Sequence, residues 1–285
     1  MDADGWLELG PGVFRRRYAA LDQGICAILG HEAALLVDTR STLAEADALL
    51  ADLRHLTPLP VTHVVNTHAH FDHVLGNARF VPAEIWAHER CARRLRDHGE
   101  QVRAEAMAWE RAGGPGMAAL AEGLAQAPIV APDHVVGDDG AVLEVGGRVV
   151  ELHHPGRGHT DGDLVVAIPD AGVIVAGDLV EEGAPPSFED AFPLDWPGAL
   201  DAVVGLARSM AAGADAPLIA PGHGAVVDVA FVERQARLLR AVAAAARAGH
   251  AEGKPVPDVA ERLDLPPAVS VVAVRRAYAQ LDGRI

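Results

Sequence analysis

Cysteine is nearly absent: Cys26 and Cys91 are the only two in 285 residues, too few for a disulfide framework and not spaced as a thiolate metal motif. Both are expected as small buried side chains. Aromatic residues make up only 4% of the chain, which gives little support to a platform for stacking nucleic-acid bases. Positive charge is in deficit, with 24 Lys plus Arg against 40 Asp plus Glu and a formal charge of -16, so phosphates would meet a repulsive field. Arg90, Arg93, Arg94 and Arg96 do cluster, but Glu89, Asp97 and Glu100 are interleaved with them, the pattern of a solvated helix face. No apolar run reaches membrane-spanning length: 211–220 is broken by Gly213, Asp215 and Pro217, and the alanine run after Arg240 is bounded by Arg247 and His250. Residues 1–5 carry neither the basic nor the apolar segment of an export signal. The expectation is a globular, cytoplasmic chain with no nucleic-acid or membrane partner, and its length permits a large core without covalent staples.

What the chain does contain is a succession of short apolar runs, each delivering polar residues at its end. Residues 25–29 and 33–37 read as a hairpin around Gly30 and His31, and the second run ends at Asp38 and Thr39. A helix is predicted over 41–53, with Ser41 as cap and Leu43, Ala46, Leu50 and Leu53 on one face. Residues 61–66 form a β-rich run that ends at His68-Ala69-His70-Phe71-Asp72-His73, the strand-end context in which α/β proteins place chemistry. A short strand at 85–87 precedes a polar helix over 89–111, stopped by Gly113, Gly114, Pro115 and Gly116. Strands follow at 141–143, 148–152, 164–168 and 173–176, then a helix after Pro197 and a last strand at 217–220. From Asp228 the pattern is helical, with one helix ending near Gly249 and another over 269–281. No composition break demands a boundary, so residues 1–285 read as one domain with 228–285 as a mainly helical C-terminal region.

His68, His70, Asp72 and His73 fall within six residues. Three imidazoles and a carboxylate in one turn are costly to crowd without a cation. An extended segment would let His68 and His70 approach one ion, and a following turn would direct Asp72 and His73 toward a second. His159, Asp178 and His223 each lie in a glycine-rich corner after an apolar run, where glycine permits tight backbone geometry and close approach to a metal. Nitrogen and oxygen donors without thiolate suit zinc, iron or manganese.

The ordered set HAHFDH, GHT, AGD and PGHG over residues 20–225 resembles the metal signature of the metallo-beta-lactamase-fold superfamily. That resemblance implies an α/β, four-layer αββα sandwich with two divalent metal ions, zinc first among them, at one edge. It implies His68, His70 and His159 around one ion, Asp72, His73 and His223 around the other, and Asp178 between them. An aspartate at 178 is similar to glyoxalase-II-like hydrolases and departs from the zinc beta-lactamases, which carry cysteine there, whereas residues 156–163 resemble the lactamase loop. The implied reaction is hydrolysis of a small ester, lactone, thioester or related acyl compound, with Asp72 as the catalytic carboxylate that orients the attacking water. Phosphoester hydrolysis, an iron-dependent sulfur oxygenase and a noncatalytic metal-binding protein are the alternatives.

Around this set, Asp38 and Thr67 are expected to orient the ligand loop from strand ends, and Thr160 to secure its own loop. Arg157 is expected to pair with Asp161 or Asp163, with substrate-anion binding as the alternative. His153 and His154 are further polar candidates near the pocket. Phe188, Phe192 and Trp196 could form an apolar pocket wall or simply pack the loop; Trp86 and Trp109 are expected mainly in packing. A homodimer is carried only as the ordinary prior.

Overall fold

The computed structural model describes residues 5–112, 118–211 and 217–285. The predicted helix stop at Gly113 to Gly116 lies outside the described residues, as does the side chain of Trp109.

The amino-terminal half contributes β1 (Trp6–Gly10), β2 (Val13–Tyr18), β3 (Gln23–Leu29), β4 (Ala34–Val37), β5 (Val61–Asn66), β6 (Glu84–His88) and β7 (His134–Val136). The carboxy-terminal half contributes β8 (Ala141–Val145), β9 (Arg148–His153), β10 (Val165–Ile168), β11 (Val173–Glu181) and β12 (Leu218–His223). Strands β4 to β7 run parallel to one another, as do β11 and β12, and the remaining pairs are antiparallel. The strands of the two halves pair at a single position, His223 of β12 opposite Gln23 of β3.

Successive strand residues face opposite sides, and here both sides are apolar. Cys26, Ile28, Leu35, Val37, Val166, Ile168, Val173 and Val175 point into the core between the two sheets. Their neighbours Ile25, Ala27 and Leu36 face one outer layer, while Val165, Ala167, Ile174 and Ala176 face the other. Each fully buried Val, Leu or Ile contributes about 1.5–3 kcal/mol, so these paired faces fix the register of every strand. Helix α1 (Leu43–Leu56) covers the first outer face through Ala46, Leu49 and Leu53. The second face is covered by α5 (Trp196–Met210), α6 (Val229–Ala251) and α8 (Pro267–Leu281) through Leu200, Val203, Leu239, Val242 and Ala273. Beside the first layer, α3 (Glu89–Ala112) and α4 (Ala118–Gln126) enclose Ala69, Val74 and Leu75 near the short α2 (Phe71–Val74). The result is the expected αββα sandwich.

Several boundaries differ from the sequence expectation. The cap of α1 is Thr42, not Ser41: the Thr42 hydroxyl accepts from the Glu45 amide at 3.2 Å and donates to the Glu45 carboxylate, an N-cap that places the first turn one residue later. Strand β11 does not stop at Ala176 but continues to Glu181. Helix α6 runs past Gly249, which instead provides room where the Tyr278 hydroxyl and Val259 approach the backbone. The hairpin β1–β2 and the short α7 (Val256–Ala260) were not anticipated. None of the helices in the described residues is long and apolar enough to cross a membrane.

Candidate metal centre

After β5 the chain bends over 67–69, is extended at His70 (φ -71°, ψ 149°) and then enters α2, which turns Asp72 and His73 back toward the sheet edge. His159 comes from the loop between β9 and β10, Asp178 from β11, and His223 from the last position of β12. The structure brings all seven together. Donor atoms of His68, His70, His159 and Asp178 lie within 4.8 Å of one another, and so do those of Asp72, His73 and His223. Asp178 Oδ2 touches both groups: it is 3.6 Å from His68 Nε2 and from His159 Nε2, 3.5 Å from His73 Nε2 and 3.2 Å from His223 Nε2. Asp72 Oδ2 lies 3.3 Å from His73 Nε2 and 3.2 Å from His223 Nε2. Tetrahedral bonds of about 2.0–2.1 Å place neighbouring ligand atoms roughly 3.3 Å apart, and these spacings match that edge length.

Two backbone features aim Asp178. Contrary to expectation it sits inside a strand rather than in a turn, but Gly177 adopts φ +53° and the pairing with β12 shifts register on both sides of it. Such a bulge re-aims the following side chain. Opposite, a Cβ at Gly222 would overlap Asp178 Oδ1 and lie 3.1 Å from His73 Cε1. Only glycine leaves that space for the carboxylate.

Each of the five imidazoles has an oxygen behind it, hydrogen-bonded to the ring in four and only near it at His159. His73 Nδ1 donates to Asp38 Oδ2 at 2.8 Å. Asp38 also accepts from the Thr67 amide (2.8 Å) and hydroxyl (2.9 Å), which leaves the Thr67 oxygen to accept from His68 Nδ1 at 3.0 Å. His70 Nε2 meets Asp190 Oδ1 at 3.0 Å, His159 Nδ1 lies 3.3 Å from Glu181 Oε1, and His223 Nδ1 donates to the Leu21 carbonyl at 2.7 Å. With the opposite ring nitrogens turned outward, His68 Nε2, His70 Nδ1, His73 Nε2, His159 Nε2 and His223 Nε2 all face inward. His68 Nε2, His73 Nε2 and Asp178 Oδ1, and on the outward side His159 Nδ1, are buried without a hydrogen-bond partner among the described residues. Inward ring nitrogens, outward partners and orphaned buried polar atoms are the arrangement of a metal site.

The charges agree. Burial, followed by the neighbouring His73, pushes the His68 pKa well below the ordinary imidazole value. At His73 burial is overcome by Asp72, Asp178 and Asp38, which hold it well above. Against the same burial, Glu181 and Asp178 raise His159 to about 9, and Asp178 with Asp72 raises His223 to about 11. Burial also opposes ionisation of Asp72 and Asp178, yet His73 and His223 keep both well below the usual carboxylate range. The two carboxylates therefore demand positive charge, which protons supply in the metal-free chain and divalent cations could supply instead.

The family profile of the metallo-beta-lactamase superfamily matches residues 22–223. The chain belongs to this superfamily. A metallo-beta-lactamase type 2 from Bacillus sp. (strain 170) is 28% identical over 101 residues, covering 34% of this chain and 37% of that protein. The Bacillus cereus metallo-beta-lactamase type 2 is 25% identical over 173 residues, covering 59% and 54%. The matched segments thus span about a third to a half of these curated relatives. The fold is also that of the VMB-1 structure (TM-score 0.62, 18% identity, 84% of this chain and 97% of that one). The FIM-1 metallo-beta-lactamase from Pseudomonas aeruginosa in its mono-zinc form is comparable (0.61, 20%, 82% and 94%).

Within this metallo-beta-lactamase fold, the outlying sequence candidates divide. Thr160 secures its loop as expected, its amide (3.0 Å) and hydroxyl (2.6 Å) both donating to Asp163. Arg157 pairs with Asp195 at 2.6 Å and covers the Phe192 ring, not with Asp161 or Asp163, because the segment after β11 folds over it. Phe188 and Trp196 are not pocket wall: at 2% and 0% exposure they belong to the outer core, and Trp196 donates to the Leu179 carbonyl while its ring backs His159. Trp86 lies on β6, stacked on His134, and His153 pairs with Glu151. The predicted solvated arginine face holds for Arg94 and Arg96, paired with Glu105 and Asp97. It fails for Arg90, which reaches inward to the Asp161 carbonyl at 3.1 Å and to His154 Nε2 at 3.2 Å. Sequence reasoning missed the roles of Glu181, Asp190, the Leu21 carbonyl and Gln23, whose buried amide donates to the Asp72 carbonyl. Glu181, three residues beyond Asp178 on the same strand, carried the one available signal; Asp190 carried none.

Proposed function

We propose that this chain is a metal-dependent hydrolase that acts on a small ester, lactone, thioester or related acyl substrate. His68, His70 and His159 would hold one divalent ion, Asp72, His73 and His223 a second, and Asp178 would serve both. The observation that carries this reading is the single Asp178 oxygen within 3.6 Å of four inward-facing imidazole nitrogens from three separate segments. Zinc is the first expectation, since the donors are nitrogen and oxygen at tetrahedral spacing. When bound, two such ions supply water acidified toward neutral pH and a Lewis acid for the substrate carbonyl.

The chain's own groups do the rest. Asp72, ionised and 5% exposed, faces the space shared with His73 and His223, where its Oδ2 can accept a proton from attacking water and later return it to the leaving group. His70 and His223 are the partly exposed ligands, so substrate would approach over them. Asp38, Thr67, Glu181 and Asp190 keep the rings turned inward. The acidic composition favours a neutral or small substrate over a polyanion.

The test is a panel of acyl and phosphoryl esters assayed on metal-analysed protein, with and without oxygen, beside His70→Ala at matched metal loading. Two equivalents of metal, oxygen-independent acyl cleavage and loss of turnover in the variant are expected. Equal activity of wild type and variant would remove the centre from the reaction. Mononuclear iron with oxygen uptake would replace hydrolysis by oxygenation.

A further inference from the structure

Helix α8 lies beyond the segment that matches the superfamily, yet it grips the loop that touches two of the metal-site histidines. Arg276 Nη2 donates to the Asp190 carbonyl at 2.7 Å and Nε to the Ala191 carbonyl at 3.0 Å. One turn further on, Gln280 accepts from the Leu194 amide at 2.9 Å and donates to Asp195 Oδ2 at 3.0 Å. The two side chains stand at i and i+4, on one face of the helix, and hold the 190–195 loop at both ends. From that loop the Asp190 carboxylate reaches His70 Nε2 at 3.0 Å, and the Phe192 amide donates to the Gly158 carbonyl at 2.8 Å, immediately before His159. His70 and His159 are themselves the closest pair in the centre, with His159 Nε2 2.9 Å from His70 Nδ1. The loop between β11 and α5 has no regular structure over most of its length. Its placement against the two histidines therefore depends on side chains that hold it.

We infer that Arg276, supported by Gln280, is a positioning residue of the metal centre, acting through Asp190 on His70 and through Phe192 on the His159 loop. The carboxy-terminal helices are then part of the site. This rests on the proposed metal-dependent function, and its test separates the two.

Zinc retention by the full chain is measured by competition with a chromophoric chelator for wild type, Arg276→Met, Arg276→Lys, Gln280→Met, Asp190→Asn and the Arg276→Met/Asp190→Asn double variant. Loss of a partner that orients a ligating imidazole weakens metal binding about 10–100-fold, which is the expected result for Asp190→Asn. Arg276→Met and Gln280→Met should each cost a smaller factor of about 3–10, with partial recovery in Arg276→Lys, which keeps the charge and one donor nitrogen in place of two. In the Asp190→Asn background, Arg276→Met should add no more than about twofold, since its main route is already cut. Unchanged zinc affinity in the folded arginine and glutamine variants would overturn the inference. So would effects of Arg276→Met and Asp190→Asn that multiply in full. If Arg276→Met does not fold, Arg276→Lys and Gln280→Met decide by the same criterion. Failure of wild type to retain any divalent metal would instead remove the proposed function itself.

Discussion

Two groups of histidine and aspartate occupy the same edge of the sandwich, and they are built oppositely. The group around Asp178 turns one nitrogen of every ring outward to a protein oxygen and the other inward to the shared space. The group of His88, Asp138 and His154 also gathers donor atoms within 4.8 Å, but its lone pairs are already engaged. His88 Nδ1 accepts from the Arg90 amide and its Nε2 donates to Asp138 at 3.1 Å; His154 Nδ1 donates to the Asp163 carbonyl and its Nε2 faces the Arg90 guanidinium. A cation there would have to displace a cation. Donor type and proximity do not make a metal site; ring nitrogens turned inward on shared carboxylates, with no side-chain cation already seated among them, do.

That contrast can be broken. The largest effect is expected from Gly222→Ala, whose methyl group would overlap Asp178 Oδ1: activity and metal retention should fall by more than about 100-fold, beyond the loss typical of an outer partner, as read by metal analysis and turnover. A variant that kept both would mean that Asp178 does not need its observed position. The second effect concerns pH. With His159 raised to about 9 and His223 to about 11, both carry protons at neutral pH in the metal-free chain, and zinc must displace them. Zinc affinity should therefore weaken as pH falls from 9 toward 6.5, by about tenfold per unit for each displaced proton. For the chelated protein the sign reverses: both pKa values exceed the unfolded value, so the stability they confer is complete below about 6.5 and is lost as pH rises through 9 and then 11. Chelator titrations and melting curves at several pH values check the two opposed slopes. The smallest effect is expected at the second group. His154→Ala should leave two zinc equivalents in place and cost about 1–3 kcal/mol in denaturant stability from the hydrogen bonds it frees. A third equivalent lost in that variant would erase the distinction drawn here.

Much of the centre was legible because its ligands announce themselves in short motifs that follow or lie within apolar runs. The HAHFDH segment, GHT, AGD and PGHG name seven residues in order, and all seven converge. The paired apolar faces of β3, β4, β10 and β11 likewise appear directly as runs of Val, Ile, Leu and Ala. What stayed hidden depends on tertiary approach. Nothing local marks Asp190 or the Leu21 carbonyl as ring partners, since each meets its histidine only after distant segments fold together. Phe188 and Trp196 were ambiguous because an aromatic near a ligand loop can line a pocket or back it, and burial alone decides. Hairpin β1–β2 escaped because Phe14 to Tyr18 is dominated by arginine, yet buried Arg15 donates to the Pro221 and Gly224 carbonyls on either side of His223.

The single backbone pairing between β3 and β12 has a mechanical consequence. Four of the seven ligands belong to the amino-terminal half and three to the carboxy-terminal half, and the strand ladder along the seam between them has one residue pair, His223–Gln23, beside a few loop and side-chain hydrogen bonds. Bound cations would act there as non-covalent cross-links, coupling the halves so that they open as one cooperative unit. Stripping them should let amide exchange accelerate along the seam while strands far from it remain protected.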